Sequence, residues 1–286
     1  MCSKVVSHAA NEGSGARRAR IASRVASYFA PKTEIPGRVY ATTSALTAIS
    51  VFAAWSLLSY GGLVRPDFLP TPGAVLHAAW VTLADGSLLH HAWSSVTVIL
   101  SGFILASVLA VPLGIMMGSF KIVEAAVEPI TGFVRYLPVS ALIPLLILWI
   151  GIGIEQKIAV IFLGTFFQQV ILIADVSAGV SRDLVDCSYT LGAKRRHVIT
   201  QVLIPATLPG VMDTLRVTMG WAWTYLVVAE LVAANSGLGY MILNSMRGLF
   251  TDMIFLGILV IGLLGLITDQ VMKALRAWLL PWAART

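Results

Sequence analysis

The sequence predicts an all-α polytopic membrane protein with six transmembrane helices, and three observations lead there. Of its 286 residues, 57% are hydrophobic and only 12% are charged, against about 45–50% apolar and about 25% charged in an ordinary soluble domain. The mean hydropathy is +0.84. The few charges are also absent from long stretches: none falls in 39–64, 86–120 or 136–154. A helix needs about 20 mainly apolar residues to cross a bilayer. So sparse a charge cannot clothe a water-soluble surface, which excludes a soluble enzyme.

The elements follow in order. Residues 1–38 form a basic tail with Arg17, Arg18, Arg20, Arg24, Lys32 and Arg38. Ile21, Val25, Tyr28 and Phe29 share one helical face within it, so a surface helix on anionic lipid and a disordered tail both fit. The apolar stretch 41–60 is longer than the roughly 7–15 residues of a signal-peptide core and reads as the first span. Pro70, Pro72 and Gly73 mark a turn, and 74–83 reads as a short helix outside the membrane. Spans two to six are expected at 93–118, 130–150, 157–177, 208–233 and 253–275. Pro112, Pro138 and Pro144 each remove a backbone donor inside a span. Two of them in the third span suggest a broken helix beside a translocation path, since lipid tolerates such breaks only where protein or a watery cavity satisfies the freed carbonyls.

Charge placement orients the chain. With both termini in the cytoplasm, fifteen of the twenty Lys and Arg residues lie on the cytoplasmic side, and only Arg65, Lys157 and Arg247 lie outside. The net charge of +6 is thus a topology signal, with membrane lipid as the partner and no nucleic acid. Arg135 and Arg216 sit within spans or near their ends. Ionisable groups there are costly and usually face the protein interior. Arg135 can draw an anion, line a gate, snorkel to headgroups or pair with a carboxylate; Glu230 can order an outer loop through hydrogen bonds.

Chemical motifs are sparse. Cys2 and Cys187 make no disulfide framework. No phosphate-binding G-x-x-x-x-G-K-[ST] loop is present, and neither is H-E-x-x-H or G-x-S-x-G. No catalytic or metal-ligating residues are assigned. His90 and His91 are placed at the outer membrane interface. The longest cytoplasmic loop, about 179–207, is the informative segment. Asp183 and Asp186 favour a helix start, Gly192 permits a left-handed turn, and Lys194, Arg195 and Arg196 open a second, basic stretch ended by Pro205. The residues alone describe a helix–turn–helix at the membrane surface.

This loop resembles the EAA signature of ABC importer permeases, E-A-A-x-x-x-G followed after nine residues by I-x-L-P. The chain offers Asp186-Cys187-Ser188, Gly192 and Val202-Leu203-Ile204-Pro205 at that spacing. Further blocks, among them Leu69-Pro-Thr-Pro72, 135–145, 148–153 and 229–240, are similar to the taurine, sulfonate and nitrate branch, over about 65–282. Asp186 replaces the usual glutamate, Cys187 and Ser188 the alanines, and Val98 stands where many relatives carry arginine.

The resemblance implies a type I importer core, with a cytoplasmic coupling helix between spans four and five. ATPase coupling would fall to Leu184, Asp186, Tyr189 and Leu191, with Gly192, Ala193 and Pro205 shaping the turn. The translocation path or gate would involve Arg135, Pro138 and Pro144, and around the outer loop Glu230, Asn235 and Gly237. Implied partners are a second copy of the permease, two ATPase subunits that bind ATP and Mg, and an extracytoplasmic substrate-binding protein. No cofactor is implied on this chain. The expected cargo is a small anion or organic acid, sulfonate or taurine type first, with nitrate, bicarbonate, pyrimidine precursors and aromatic acids as alternatives. An ion-gradient-driven transporter and an intramembrane enzyme or scaffold are the competing classes. The first lacks matching broken helices in two halves, and the second lacks catalytic residues.

Overall fold

A computed structural model describes residues 35–232 and 235–285, with Ala30 and Thr33. The surface helix considered for the basic tail lies outside the described residues. Among those residues there is helix and no strand. The chain divides at Leu63 into two compact units.

The first unit contributes α1 (Gly37–Tyr60), covering the expected first span. Its threonine hydroxyls are paired within the helix, as lipid demands. Thr42 and Thr43 both donate to the Val39 carbonyl, at 3.0 and 2.9 Å, and Thr47 donates to the Thr43 carbonyl at 3.0 Å.

The second unit begins with α2 (Pro72–Ala84). Thr71 caps it by accepting the Ala74 N–H at 3.2 Å, and Pro72 occupies the first turn, where a missing N–H costs nothing. Then come α3 (Ser87–Ser119), α4 (Lys121–Val134), α5 (Val139–Ile150), α6 (Ile154–Ala178) and α7 (Arg182–Thr190). The chain continues through α8 (Arg195–Val232), α9 (Leu238–Arg247) and α10 (Thr251–Leu279). Among the described residues five helices are long and apolar enough to cross a membrane, and the bent pair α4–α5, counted as one span, brings the number to six.

Two expectations need correction. The third span is broken, as its prolines suggest, but it is not confined to 130–150. It starts at Lys121 and turns through 93° between α4 and α5. Pro138 has no N–H to donate and biases Leu137 away from helix, while tightened bonds from Tyr136 N to Phe133 O (3.2 Å) and Leu137 N to Val134 O (3.0 Å) close the end of α4. Pro144 sits inside α5 without breaking it. Nor does Pro205 end the basic stretch: the chain passes through a wide π turn, Val198–Leu203, straight into Ile204–Val232. The change of hydrogen-bond register there accommodates a residue that lacks a donor.

α6 is the centre of this unit. It runs parallel to α3, since Gly102 meets Ile161, and Gly114 meets Ile173. It runs antiparallel to α8, since Gly164 meets Tyr225, and Gly210 meets Val176. Gly102, Ala106, Ala110, Gly114 and Gly118 recur every fourth residue on α3. Membrane helices approach closely through such small residues because packing, and not water exclusion, drives their association. At Gly118 an added Cβ would collide with the Ala174 carbonyl and stand 2.7 Å from Ser177 Cβ. Gly118→Val is therefore expected to cost about 1–3 kcal/mol by overpacking, read as a lower melting temperature of the purified permease. An unchanged melting temperature would contradict this contact.

At the α9 end lie the starts of α3 and α6 and the close of α8. At the α7 end lie the close of α3 and α6 and the start of α8.

Candidate functional site

At the α9 end a buried carboxylate organises a loop. Glu230, in the last turns of α8, is fully buried. Its carboxylate accepts the Ser95 hydroxyl of α3 at 2.8 and 3.0 Å and the Gly239 N–H at 2.8 Å. The Ser95 oxygen in turn accepts the Leu238 N–H at 2.8 Å. Lys157 of α6, only 2% exposed, donates to the Ser236 carbonyl at 3.1 Å and supplies the opposite charge. Ser94 and Ser236 share a hydroxyl–hydroxyl bond of 2.8 Å, and His91 Nδ1 accepts the Gly237 N–H at 3.3 Å. A buried charge is tolerated only when hydrogen bonds and a nearby opposite charge compensate it; Glu230 has three hydrogen-bond contacts, with Lys157 as the nearby opposite charge.

Lys157 therefore departs from its expected place as a loop charge outside the membrane. The Ser236 carbonyl and the Glu230 charge hold it in the interior. Gly237 is required twice over. Its φ is +117°, and an added Cβ would strike the Glu230 carboxylate. Asn235 is exposed and has no hydrogen bond among the described residues, so the clamp holds the backbone of 236–239 and not the asparagine side chain.

The break between α4 and α5 opens a cavity of about 350 Å³. Its polar lining is Arg135, Tyr136, Ser140, Thr224 and Tyr225, and its walls include Pro138, Ile143 and Val160. The Arg135 guanidinium lies 4.7 Å from the centre of the Tyr136 ring and donates to the Tyr136 hydroxyl at 2.8 Å. It has no ion pair among the described residues. Its far side borders a second cavity of about 140 Å³, lined by Glu124, Glu128 and Asp175. Of the expected path residues, Arg135 and Pro138 thus share one cavity. Pro144, on an exposed face of α5, lines neither cavity, and Glu230 belongs to the separate cluster at the α9 end.

At the α7 end the expected short helix is present. Ser181 caps α7 by accepting the Asp183 N–H at 3.2 Å, and Asp183 lies in the first turn. Bonds from Ala193 N to Ser188 O (3.0 Å) and from Gly192 N to Tyr189 O (2.9 Å) close it, with Gly192 at φ +83°. That is a left-handed glycine cap. Leu184, Tyr189 and Leu191 are 51%, 47% and 88% exposed, and Asp186 is exposed beside them. The Arg195 guanidinium lies 5.4 Å from the centre of the Phe120 ring, between α3 and α4. The start of α8, three residues past the Gly192 turn that closes α7, is thereby set against the start of the arm that carries Arg135.

Arg216, placed within a span by the sequence, is ion-paired to Asp269 of α10, which also meets Lys273 at 2.8 Å. Arg276 and Asp213 add a 3.2 Å pair. These pairs bind α8 to α10 and leave Arg135 as the cavity's own cation.

The family model described as "Binding-protein-dependent transport system inner membrane component" matches residues 110–281. The chain is 37% identical over 231 residues to the "Probable ABC transporter permease protein" of Brucella abortus (strain 2308), covering 81% of this chain and 91% of that one. It is 32% identical over 247 residues to the taurine transport system permease protein TauC of Escherichia coli (strain K12), covering 84% and 90%. The fold is similar to a chain of the MetNI methionine ABC transporter in an inward facing conformation. There the TM-score is 0.54 at 19% identity, over 67% of this chain and 97% of that chain.

Proposed function

Because the chain belongs to the binding-protein-dependent transport system inner membrane component family, we propose that it forms the translocation pathway for a small organic anion of the sulfonate type in an ABC importer. It is a multi-pass membrane protein with the type I importer permease fold. In this reading both termini face the cytoplasm, the α7 end is cytoplasmic and the α9 end faces the binding protein. Two copies of the chain assemble with two ATPase subunits, which hold ATP and Mg, in the cell (inner) membrane. A paired ATPase needs two docking points and each chain has one, which two-fold symmetry supplies.

The observation that carries this reading is α7 itself. Leu184, Tyr189 and Leu191 project an apolar patch from a short helix, and no other described residue covers it. Such a patch beside charged Asp186 fits a groove on a partner, a helix-in-groove contact. Arg195 against Phe120 then passes movement of α7 to α4, whose far end is the hinge at Arg135.

Gly192→Val imposes a Cβ where φ is +83°, costing about 1–2 kcal/mol and opening the cap. Asp186→Lys inverts charge on the docking face. Both variants are expected to insert normally yet retain less ATPase on co-purification or hydrolyse more ATP per substrate taken up. Wild-type values of both quantities in both variants would sink the assignment. Uptake that survives ATP depletion while an ion gradient is maintained would favour a gradient-driven transporter instead.

A further inference from the structure

We propose that the cleft between α8 and α10 at the α7 end holds the phosphate of an anionic phospholipid, a fixed lipid site that does not depend on which substrate is carried.

Charge points there first. Asp213 and Arg216 of α8, with Lys273 and Arg276 of α10, line a cavity of about 110 Å³. Arg216 and Lys273 share Asp269, and Arg276 faces Asp213, so three cations stand against two carboxylates. The surplus is one positive charge, the complement of one phosphodiester. Donors are left over as well. Lys273 carries three ammonium N–H groups and places one on Asp269 at 2.8 Å. Arg276 Nε is shielded from water 3.2 Å from Asp213, without the alignment of a hydrogen bond. A phosphate bridging Lys273 and Arg276 uses the donors that the carboxylates leave open.

Depth decides the source of that phosphate. α10 presents an exposed apolar face through Leu263, Leu266, Ile267 and Val271, then turns basic at Lys273 and Arg276. Exposed Trp278 and Trp282 follow directly. Tryptophans so placed settle at headgroup level, ring against the acyl boundary and N–H toward water. The cavity therefore opens in the phosphate layer of the membrane, and basic pockets between spanning helices recruit anionic headgroups at that depth. Arg216, Lys273 and Arg276 keep 38%, 44% and 39% of their side chains exposed, which a headgroup arriving from the bilayer requires.

The test uses purified full-length permease immobilised on resin in detergent. Radiolabelled dioleoyl phosphatidylglycerol and dioleoyl phosphatidylcholine, alike in chains and differing in net charge, are titrated separately at constant ionic strength. Wild type is expected to retain the anionic lipid roughly fivefold more tightly, the worth of one surplus basic charge at a membrane surface. Lys273→Gln combined with Arg276→Gln is expected to bring the two lipids level at an unchanged melting temperature. Lys273→Gln alone, which leaves the Arg216–Asp269 pair in place, carries the test if the double variant fails to fold. Lys121→Gln removes another exposed cation at the same end and is expected to keep the preference. Equal retention of both lipids by wild type, or an equal loss of preference in Lys121→Gln, overturns the fixed site. Displacement of phosphatidylglycerol by millimolar inorganic phosphate makes the cavity a free-phosphate site and overturns the lipid assignment.

Discussion

Glu230→Leu is expected to remove most folded permease from the membrane, the largest structural effect of any single substitution in the chain. The carboxylate is fully buried and accepts from Ser95 and from the Gly239 N–H, with Lys157 as its countercharge. Leucine restores the volume and none of the acceptors. Removing one partner of a buried pair typically costs about 3–5 kcal/mol, because the other charge remains buried and uncompensated. Total stability of a domain is only about 5–15 kcal/mol. Glu230→Gln keeps the shape and one acceptor oxygen and should be milder. Ser95→Ala should fall between them, at about 1–3 kcal/mol, because it strands the Leu238 N–H. Gly237→Ala should resemble Glu230→Leu, since its Cβ would displace the same carboxylate. Membrane abundance and melting temperature of the purified protein rank the series. A Glu230→Leu permease as abundant and as thermostable as wild type would show that the cluster does not hold the loop.

Arg135→Ala is expected to do the opposite, sparing the fold and removing transport. Arg135 is exposed in the chain, has no ion pair among the described residues and bonds only to its neighbour Tyr136. Its loss strands no buried partner. An interaction between this guanidinium and an anionic headgroup is charge-assisted, and losing it should lower uptake roughly ten- to hundred-fold. Arg135→Lys keeps the charge but not the planar fork or the stacking on Tyr136, so partial uptake is expected. Uptake is read in protein normalised for membrane abundance, with melting temperature as the control. Normal uptake by Arg135→Ala would remove this residue from the pathway.

The contrast between these two charges explains what was legible beforehand. The spans were readable because lipid demands about 20 apolar residues per crossing, and runs such as 86–120 satisfy that demand on their own. The turn after α7 was readable for a similar reason: Asp183 in the first turn and Gly192 at the cap act through neighbours within a few residues. The third span was half readable. Pro138 marked it as broken, but Lys121, Glu124 and Glu128 interrupt the apolar run and hid the fact that the helix begins near residue 121. Lys157 was misplaced because a charge near a span end looks the same in sequence whether it meets water or a buried carbonyl.

What the sequence determined by itself is therefore everything that local chemistry and the bilayer impose: helical class, number of crossings, the α7 cap, and a broken third span near Pro138. What only the tertiary structure decided is which distant residues meet. Ser95 and Glu230 are 135 positions apart, and the cavity joins Arg135 to Thr224. Both contacts depend on α3 and α6 running parallel and α8 returning against them, an arrangement set by close approach at Gly102, Gly114, Gly164 and Gly210. Hydropathy registers that a helix is apolar. It carries no record of which face is small enough to let a neighbour approach, and that steric fact brings buried charges together.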